Sequence, residues 1–316
     1  MRGLVYKSTG SWYDVKLESG KLVKSRLKGK FRIQGIKSTN PVAVGDYVDV
    51  KIEKKGDEEI GVIQTIEERK NYIIRKSVNL SKQTHIIASN IDLAFLLVTY
   101  NNPPTSTTFI DRFLVSAEAY HIPVVILFNK MDTYNLDDKV ELKYLAELYR
   151  KIGYECHGIS AETGLQVDLV KSLMKNKTCM LSGHSGVGKS SLINALEPGL
   201  NIKTSNISLQ HAQGQHTTTF AEMHELHFGG RIIDTPGIRG FGVVDIEDHE
   251  LTDYFPEFFK IKHECKFNNC LHLSEPKCAI KKAVEDGEIE LSRYESYLQI
   301  LKGEDENYRK DIYAEK

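Results

Sequence analysis

The fold is decided by two stretches, FNKMD at residues 128–132 and GHSGVGKS at residues 183–190. FNKMD ends the apolar run IPVVILF, and Asn-Lys-x-Asp after a buried strand is the pattern with which a GTP-binding fold reads guanine. GHSGVGKS follows the apolar strand KTCMLSG and opens the helix SSLINAL, which is the context that a phosphate-binding loop needs. The usual order places the phosphate loop first, so the chain presents the two motifs in reverse.

The phosphate loop predicts a nucleotide site with a magnesium ion. Its glycines let successive backbone N–H groups turn toward a phosphate, and the helix N-terminus adds a favourable dipole. Lys189 is expected to reach the β- and γ-phosphates, and Ser190 to coordinate Mg2+. The alternative is a glycine-rich turn without a ligand. The residues predicted to bind the phosphates are Gly183, His184, Ser185, Gly186, Val187, Gly188, Lys189, Ser190 and Ser191.

Two further motifs follow the phosphate loop. RIIDTPG ends a strand, and we expect Asp234 to hold Mg2+ through water and the Gly237 N–H to meet the γ-phosphate. GQHTTT, at residues 214–219, lies between the two and is interpreted as a switch that binds Mg2+ in the GTP state. Thr219 is the predicted ligand, although any threonine of residues 217–219 fits the pattern.

The choice of base rests on residues that come before the phosphate loop. Asp132 is predicted to accept hydrogen bonds from guanine N1–H and N2–H2, which adenine does not offer. Asn129 is expected to hold the site together and the Lys130 stem to pack on the base. Ser160 and Ala161 follow the strand YECHGI and match the loop whose backbone N–H meets guanine O6. Taken alone, NKMD is equally compatible with a surface turn.

Strands alternate with amphipathic helices from Asn90 to the phosphate loop, which predicts a parallel sheet with helices on both faces. A parallel sheet binds ligands at the carboxyl ends of its strands, whatever order the chain visits them. The helix GLQVDLVKSLMK and the strand KTCMLSG then join the base-reading units to the phosphate loop. We therefore predict a circularly permuted nucleotide-binding domain.

The first 68 residues differ from the rest, because short alternating runs such as WYDVKL and YVDVKI predict a small β-barrel. Residues 1–40 carry ten Lys and Arg side chains against Asp14 and Glu18, which favours a polyanionic partner such as RNA. A solvated charged face is the alternative. Trp12, Tyr13 and Phe31 are candidates to stack on bases, although aromatic residues of a small barrel more often lie in the core.

Three of the five cysteines lie in CKFNNCLHLSEPKC, at residues 265–278. Three thiolates and one imidazole form a closed, structural Zn2+ site, and a segment this short needs the metal to fold. The predicted zinc ligands are Cys265, Cys270, His272 and Cys278. His263 is a rival to His272, and Cys156 and Cys179 are interpreted as buried residues of central strands.

The sequence has no obvious glutamine to catalyse hydrolysis, since Ile238 follows the glycine of DTPG. We expect slow intrinsic turnover, with His216 of the switch as the candidate catalytic residue that orients water. A packing role for His216 is the alternative. The start of the chain lacks the apolar core of a signal peptide, and its apolar runs are short, so we expect a cytoplasmic monomer without a membrane partner.

The order NKMD, SAE, GHSGVGKS, HTTT, DTPG, between a β-barrel and a cysteine cluster, resembles the RsgA family over essentially the whole chain. The resemblance implies a multidomain fold: an N-terminal OB-type β-barrel (1–68), a circularly permuted α/β P-loop GTPase domain (69–242) and a C-terminal α-helical zinc-binding module (243–316).

The same resemblance implies a function. It predicts a GTP hydrolase of late small (30S) ribosomal subunit assembly that binds rRNA, carries one structural Zn2+ and uses Mg2+ with GTP. Stimulation of hydrolysis by the subunit is expected. The alternatives are a GTP-gated RNA-binding adaptor with little hydrolysis, which Ile238 suggests, and an ATP-driven P-loop enzyme, which NKMD opposes.

Overall fold

The computed structural model describes residues 1–28, 41–55, 58–76, 84–200, 221–234 and 246–303. Its N-terminal part is a five-stranded barrel in which β1 pairs with both β2 and β4, so that the order β1-β2-β3-β5-β4 closes on itself. Apolar and polar residues alternate along β2: Tyr13, Val15 and Leu17 are buried, and the residues between them are partly exposed. The barrel strands are β1 Arg2–Ser8, β2 Tyr13–Leu17, β3 Leu22–Leu27, β4 Tyr47–Lys55 and β5 Glu58–Ile66.

A two-stranded hairpin, β6 Tyr72–Lys76 and β7 Thr84–Ser89, follows the barrel. The sequence analysis did not identify this hairpin. The amide of Asn71 fixes its base, since it donates to the Ile91 carbonyl at 2.9 Å and accepts from the Ile91 N–H at 2.8 Å. The hairpin therefore leads the chain from the barrel directly to the first strand of the central sheet.

The central sheet has the order β10-β9-β8-β11-β13-β12, with all strands parallel except β12. Its strands are β8 Leu93–Val98, β9 Val124–Phe128, β10 Glu155–Gly158, β11 Thr178–Ser182, β12 Glu222–Leu226 and β13 Gly230–Asp234. The strand β11, which precedes the phosphate loop, lies between β8 and β13 although the chain reaches β8 much earlier. This is the connectivity that the reversed order of motifs predicted.

Four helices cover the sheet: α1 Thr107–Ala119, α2 Leu136–Ile152, α3 Val167–Met174 and α4 Lys189–Leu196. The buried apolar residues of α2 and those of α1 apart from Val115 belong to one hydrophobic cluster, and those of α3 and α4 to a second cluster on the opposite face. Cys179 is buried on the central strand β11, as expected. Cys156 is also buried, but β10 is the edge strand of this sheet, so its predicted central position was wrong.

The C-terminal module contains α5 Pro256–Ile261, α6 Ala279–Glu285 and α7 Leu291–Leu301, with short 3-10 turns at Leu251–Tyr254 and Lys262–Glu264. Its core is a third cluster built around Phe255, Phe258 and Tyr297, all of which are fully buried. The predicted architecture, an N-terminal β-barrel, a parallel sheet covered by helices with permuted connectivity and a C-terminal helical module, is confirmed.

Among the residues that the structure describes, no helix combines the length and the apolar character needed to cross a bilayer.

Candidate nucleotide-binding site and zinc centre

Four of the predicted motifs meet at one edge of the central sheet. The strands β9, β10, β11 and β13 run parallel, and each is followed directly by a motif at its carboxyl end. NKMD follows β9, SAE follows β10, the phosphate loop follows β11, and Asp234 ends β13. Because carboxyl ends of parallel strands share an edge, residues far apart in the sequence lie next to one another.

The phosphate loop depends on glycines where the backbone is left-handed. Gly186 has φ 84° and Gly188, which precedes α4, has φ 98°. Gly183 approaches its neighbours closely, because a Cβ built there would lie 2.5 Å from the Leu97 carbonyl oxygen. Lys189 bends back over the loop and its ammonium donates to the carbonyl oxygens of Gly183 at 2.7 Å and His184 at 2.6 Å. The loop is therefore preformed around the lysine.

The predicted phosphate-binding residues differ in exposure. Val187 is fully buried and anchors the loop, Ser185 is exposed, and Ser190 and Ser191 are half-buried in the first turn of α4. The His184 ring stacks on Phe109 of α1, with 3.7 Å between ring centroids and 30° between planes. Burial, together with the nearby Lys189 ammonium, lowers the pKa of His184 below its ordinary value. The His184 side chain thus packs the phosphate loop against α1.

Asn129 joins the base-reading loops to the phosphate loop. Its side chain is 1% exposed, its amide nitrogen donates to the Val187 carbonyl at 2.8 Å, and its amide oxygen accepts from the Ala161 N–H at 3.1 Å. Gly188 packs against the same amide, since a Cβ there would lie 2.3 Å from the Asn129 nitrogen. One side chain therefore connects the two loops through hydrogen bonds.

The remaining base-reading residues surround an exposed carboxylate. Asp132 is exposed and accepts from the buried Ser160 hydroxyl at 2.5 Å, which orients the carboxylate. Lys130 has a left-handed backbone, φ 67°, and its ammonium donates to the Asn102 carbonyl. Partial burial lowers the pKa of Lys130. The structure brings these residues together, and their roles in reading the base are predictions.

Asp234 lies at the end of β13, opposite Glu222 of β12. Burial raises its pKa above the ordinary value, and the positive charges of His224 and Lys189 oppose that rise. The half-buried Asp234 carboxylate can accept a hydrogen bond from a magnesium-bound water, and the Ser190 hydroxyl oxygen is a ligand of the kind that Mg2+ takes. His216, Thr219 and Gly237 lie outside the described residues, as do Phe31 and Ile238.

The four predicted zinc ligands form one compact cluster. The ligand atoms of Cys265, Cys270, His272 and Cys278 all lie within 4.8 Å of one another. His272 Nδ1 lies 3.7 Å from Cys265 Sγ and 3.3 Å from Cys278 Sγ. A tetrahedral zinc with Zn–S of about 2.3 Å and Zn–N of about 2.1 Å requires an S···N separation of about 3.6 Å. The cluster therefore fits Zn2+, and these residues form a zinc-binding site.

Neighbouring groups orient the ligands. His272 Nε2 lies 3.1 Å from Thr252 Oγ1, so Nδ1 is left to face the thiols, as expected of a ligating histidine. The N–H groups of Ala279 and Lys281 donate to the sulfur atoms of Cys265 and Cys278 at 3.3 Å and 3.5 Å. The rival ligand His263 is exposed and near Glu264, outside the cluster.

Burial raises the pKa of the Cys270 thiol to about 12, so this cysteine is protonated at neutral pH without a metal. Zn2+ binds thiolates, and its charge makes deprotonation favourable, so zinc binding releases protons. Cys156 and Cys179 also have thiol pKa values raised by burial to about 12. They lie on separate strands and are unreactive core residues.

Part of the positive charge of the barrel is paired with glutamates of the same protein. Five of the seven Lys and Arg residues in residues 1–28 are paired: Arg2 with Glu67, Lys7 with Glu222, Lys16 with Glu225, Lys21 with Glu59 and Arg26 with Glu53. Tyr13 is 1% exposed and belongs to the core, so it is not a base-stacking residue. Trp12 is 39% exposed, and the Lys24 ammonium lies 5.7 Å from its ring centroid.

Sequence reasoning missed Phe109 and Asn102, which contact His184 and Lys130. Neither belongs to a motif, and only their spatial position next to the loops reveals them.

Comparison with known proteins gives matches over the whole chain. The RsgA GTPase family model matches residues 66–244, and the RsgA N-terminal domain model matches residues 2–63. A protein of Christiangramia forsetii named small ribosomal subunit biogenesis GTPase RsgA is 68% identical over 313 residues, 99% of each chain. The protein of that name from Flavobacterium johnsoniae is 63% identical over 318 residues, covering 100% of this chain and 97% of its own.

Solved structures agree with this result. The crystal structure of YjeQ from Thermotoga maritima has a TM-score of 0.76 and 38% identity, covering 96% of this chain and 97% of that one. The structure of YloQ, a circularly permuted GTPase, has a TM-score of 0.72 and 34% identity, covering 97% and 95%. The predicted circular permutation thus has solved counterparts, and this chain belongs to the RsgA family of circularly permuted GTPases.

Proposed function

We propose that this protein hydrolyses GTP during late biogenesis of the small (30S) ribosomal subunit, that it binds the subunit and its rRNA, and that the subunit stimulates hydrolysis. One observation carries the nucleotide specificity. The Asn129 amide connects the phosphate loop, through the Val187 carbonyl, to the SAE loop, through the Ala161 N–H. A base held at these loops and a phosphate chain held at the P-loop belong to one ligand.

Guanine is the base that fits. The Asp132 carboxylate is a pure acceptor held by Ser160, and it matches the two donors that guanine presents at N1 and N2. Adenine offers no such pair, and the mismatch leaves the carboxylate unpaired, which disfavours ATP strongly. The Asp132→Asn variant is expected to lose GTP affinity and to gain affinity for xanthosine nucleotides. Unchanged GTP preference in that variant would show that Asp132 does not read the base.

Magnesium is assigned to Ser190, Thr219 and, through water, Asp234. Bound there, the ion neutralises charge on the β- and γ-phosphates. Lys189 contributes a second positive charge, and the Gly237 N–H is assigned to the γ-phosphate. His216 is assigned to orient the attacking water. Turnover by His216→Ala should fall by about 10²–10⁴-fold at unchanged GTP affinity, and a fall below twofold would remove His216 from the mechanism.

The ribosomal role is supported by the names of relatives 68% and 63% identical to this chain, which are small ribosomal subunit biogenesis GTPases. The decisive experiment measures GTP turnover with and without purified 30S subunits, with ATP as the control nucleotide. We expect slow turnover alone and strong stimulation by the subunit. Turnover that is fast alone and indifferent to the subunit would overturn the proposal.

The barrel is assigned the rRNA contact, through the face that carries Trp12 and Lys24. Exposed aromatic rings next to cations stack on unpaired bases. A Trp12→Ala variant should weaken binding to 30S subunits, whereas Tyr13, which is buried, makes no such contact.

We also propose that the protein acts as a monomer in the cytoplasm. Sedimentation of the purified chain tests the first of these two statements, and cell fractionation tests the second.

A further inference from the structure

The helix α1 lies between the phosphate loop and the zinc-binding module and presents a different face to each. Phe109 and Phe113, one turn apart, belong to the core beneath the sheet. Asp111 and Val115, also one turn apart, face the module: Asp111 pairs with Arg293, and Val115 belongs to the hydrophobic cluster of the module. A movement of α1 relative to the sheet would therefore change its contacts with both the phosphate loop and the zinc-binding module.

On the inner face, Phe109 supports the phosphate loop. Its ring stacks on His184 at a centroid separation of 3.7 Å, and its own position is fixed by the Ser106 hydroxyl, which accepts the Phe109 N–H at 3.2 Å. The His184 carbonyl in turn accepts from the Lys189 ammonium at 2.6 Å. His184 thus lies between Phe109 and Lys189, the lysine that is assigned to the phosphates.

On the outer face, α1 is attached to α7 by buried charge. Arg293 is 1% exposed and donates to Asp111 at 2.5 Å and to Glu257 of α5 at 2.6 Å. The Tyr149 hydroxyl donates to the same Asp111 oxygen at 2.7 Å. Arg293 and Asp111 are buried and Glu257 is 14% exposed, so a displaced Arg293 or Asp111 would be left buried and unpaired, which favours a single geometry.

The helix α7 also holds the zinc site. The Tyr294 hydroxyl donates to the His272 carbonyl at 2.5 Å, and the Tyr297 hydroxyl donates to the Leu271 carbonyl at 3.1 Å. The backbone of a zinc ligand is therefore bound to α7, α7 is bound to α1 through Arg293, and α1 is stacked on the phosphate loop through Phe109.

We propose that Phe109 is a positioning residue through which the zinc-binding module sets the geometry of the phosphate loop, so that binding of Zn2+ and binding of guanine nucleotide are thermodynamically coupled. The inference rests on the proposed nucleotide site. Coupling between two sites is reciprocal: if zinc tightens nucleotide binding by some factor, the nucleotide tightens zinc binding by the same factor. Contacts alone do not establish coupling, so the factor itself must be measured.

The experiment measures the Zn2+ affinity of the full chain by competition with a chromophoric chelator, with and without saturating GDP. GDP is used because it is not turned over. We expect GDP to tighten zinc binding at least about fivefold, the lower end of typical couplings between sites. Equal zinc affinity with and without GDP would overturn the inference but leave the proposed function intact. Absence of GDP binding, measured in parallel with a fluorescent GDP, would overturn both.

Two variants locate the coupling. Phe109→Leu removes the stacked ring but keeps an apolar side chain, and the GDP effect on zinc affinity should disappear. Phe113→Leu is the matched control on the same face of α1, since Phe113 is 1% exposed and lies in the same cluster, and it should retain the effect. Coupling that arises only from global unfolding without zinc would survive in both variants, and that result would overturn the proposal.

His184→Ala gives an independent measurement on the other partner of the stack. It should abolish the GDP effect as Phe109→Leu does, and the double variant should show no further loss, because residues acting through one contact are not additive. Full coupling in His184→Ala would overturn the role of the stack.

Discussion

Arg69 and Arg293 each fix an outer module to the GTPase domain, but they face different numbers of carboxylates. Arg69 pairs with Asp46 of the barrel through two hydrogen bonds of 2.6 Å. Arg293 is shared between Asp111 of α1 and Glu257 of α5. The Arg69 side chain is 7% exposed and the Arg293 side chain 1% exposed. Both attachments are buried ion pairs, and they differ in the hydrogen-bond donors that surround the aspartate.

Asp46 has several donors besides its arginine. The Ser89 hydroxyl donates to it at 2.6 Å and the Ala43 N–H at 2.8 Å. Asp111 has the Tyr149 hydroxyl in addition to Arg293, and burial raises its pKa despite the positive charge of Arg293. We therefore expect the barrel attachment to tolerate the loss of its arginine better than the attachment of the zinc-binding module does. The module is also the only one of the two that contains a metal site among the residues described.

Removing zinc should have the largest effect. The Cys278→Ser variant, or treatment with a strong chelator, is expected to unfold the module, because apparent zinc-binding free energies of small domains reach about 10–16 kcal/mol. Far-UV circular dichroism should show loss of α5 to α7, and limited proteolysis should cut within residues 246–303 but leave the barrel intact. Cys156→Ala, at a buried thiol outside the cluster, is the control. An unchanged proteolysis pattern would show that the module folds without metal.

Removing Arg293 should be the next largest effect. Arg293→Ala leaves Asp111 and Glu257 without their buried partner, which should lower the free energy of unfolding by about 3–5 kcal/mol. Urea denaturation followed by tyrosine fluorescence measures this loss. Arg293→Lys keeps the positive charge but lacks the planar guanidinium group. Its free energy of unfolding should lie between those of the wild type and Arg293→Ala. A loss below about 1 kcal/mol would mean that the pair does not hold the module.

Removing Arg69 should cost less. Arg69→Ala leaves Asp46 with the Ser89 hydroxyl and the Ala43 N–H, so we expect a loss of about 1–3 kcal/mol by the same denaturation measurement. Asp46→Asn with Arg69→Ala should recover part of the loss, since it removes the unpaired charge. The comparison breaks if Arg69→Ala destabilises the protein as much as Arg293→Ala.

The exposed pairs between the barrel and β12 should matter least. Lys16 pairs with Glu225 across this contact, and the pair is solvent-accessible, so Lys16→Ala should cost about 0.2–1 kcal/mol and less at high salt. Removal of the matched exposed pair Lys171–Asp168, which lies within α3, is the control for a general surface effect. A larger loss in Lys16→Ala than in Arg69→Ala would reverse the order.

Acid should weaken the same contact. Hydrogen bonds from Lys16 and then from Tyr6 lower the pKa of Glu225 below its ordinary value of 4.5. A group with a lowered folded-state pKa stabilises the fold above its unfolded pKa and loses that contribution as pH falls through the folded value. The stabilisation should therefore be present above pH 4.5 and fade below it. Glu225→Gln should remove this acid-dependent part in a pH series of thermal unfolding.

Motifs with a backbone requirement could be predicted from the sequence, and contacts between distant side chains could not. The glycines of the phosphate loop and the apolar strands before each motif predicted the strand ends that carry the site. They also predicted the permutation, because local conformation and burial depend on neighbouring residues. The zinc ligands were found for the same reason, since all four lie within one short segment.

The stack of Phe109 on His184 and the buried pair of Asp111 with Arg293 escaped prediction, because helix packing alone brings these residues together. The partners of the barrel cations could not be predicted for the same reason. Glu222 and Glu225, which neutralise Lys7 and Lys16, lie on β12, more than two hundred residues further along the chain.

The position of β11 between β8 and β13 has a consequence for synthesis of the chain. β8 is made early, and one of its edges is paired by β11, which the ribosome adds only after the whole of α1 to α3. At about 5–20 residues per second, the intervening segment of roughly 80 residues takes about 4–16 s to emerge. During that time the edge of β8 is an unpaired strand of six apolar residues, LAFLLV, open to association with other chains. An aggregation hazard of the nascent protein therefore lies at the centre of its finished sheet.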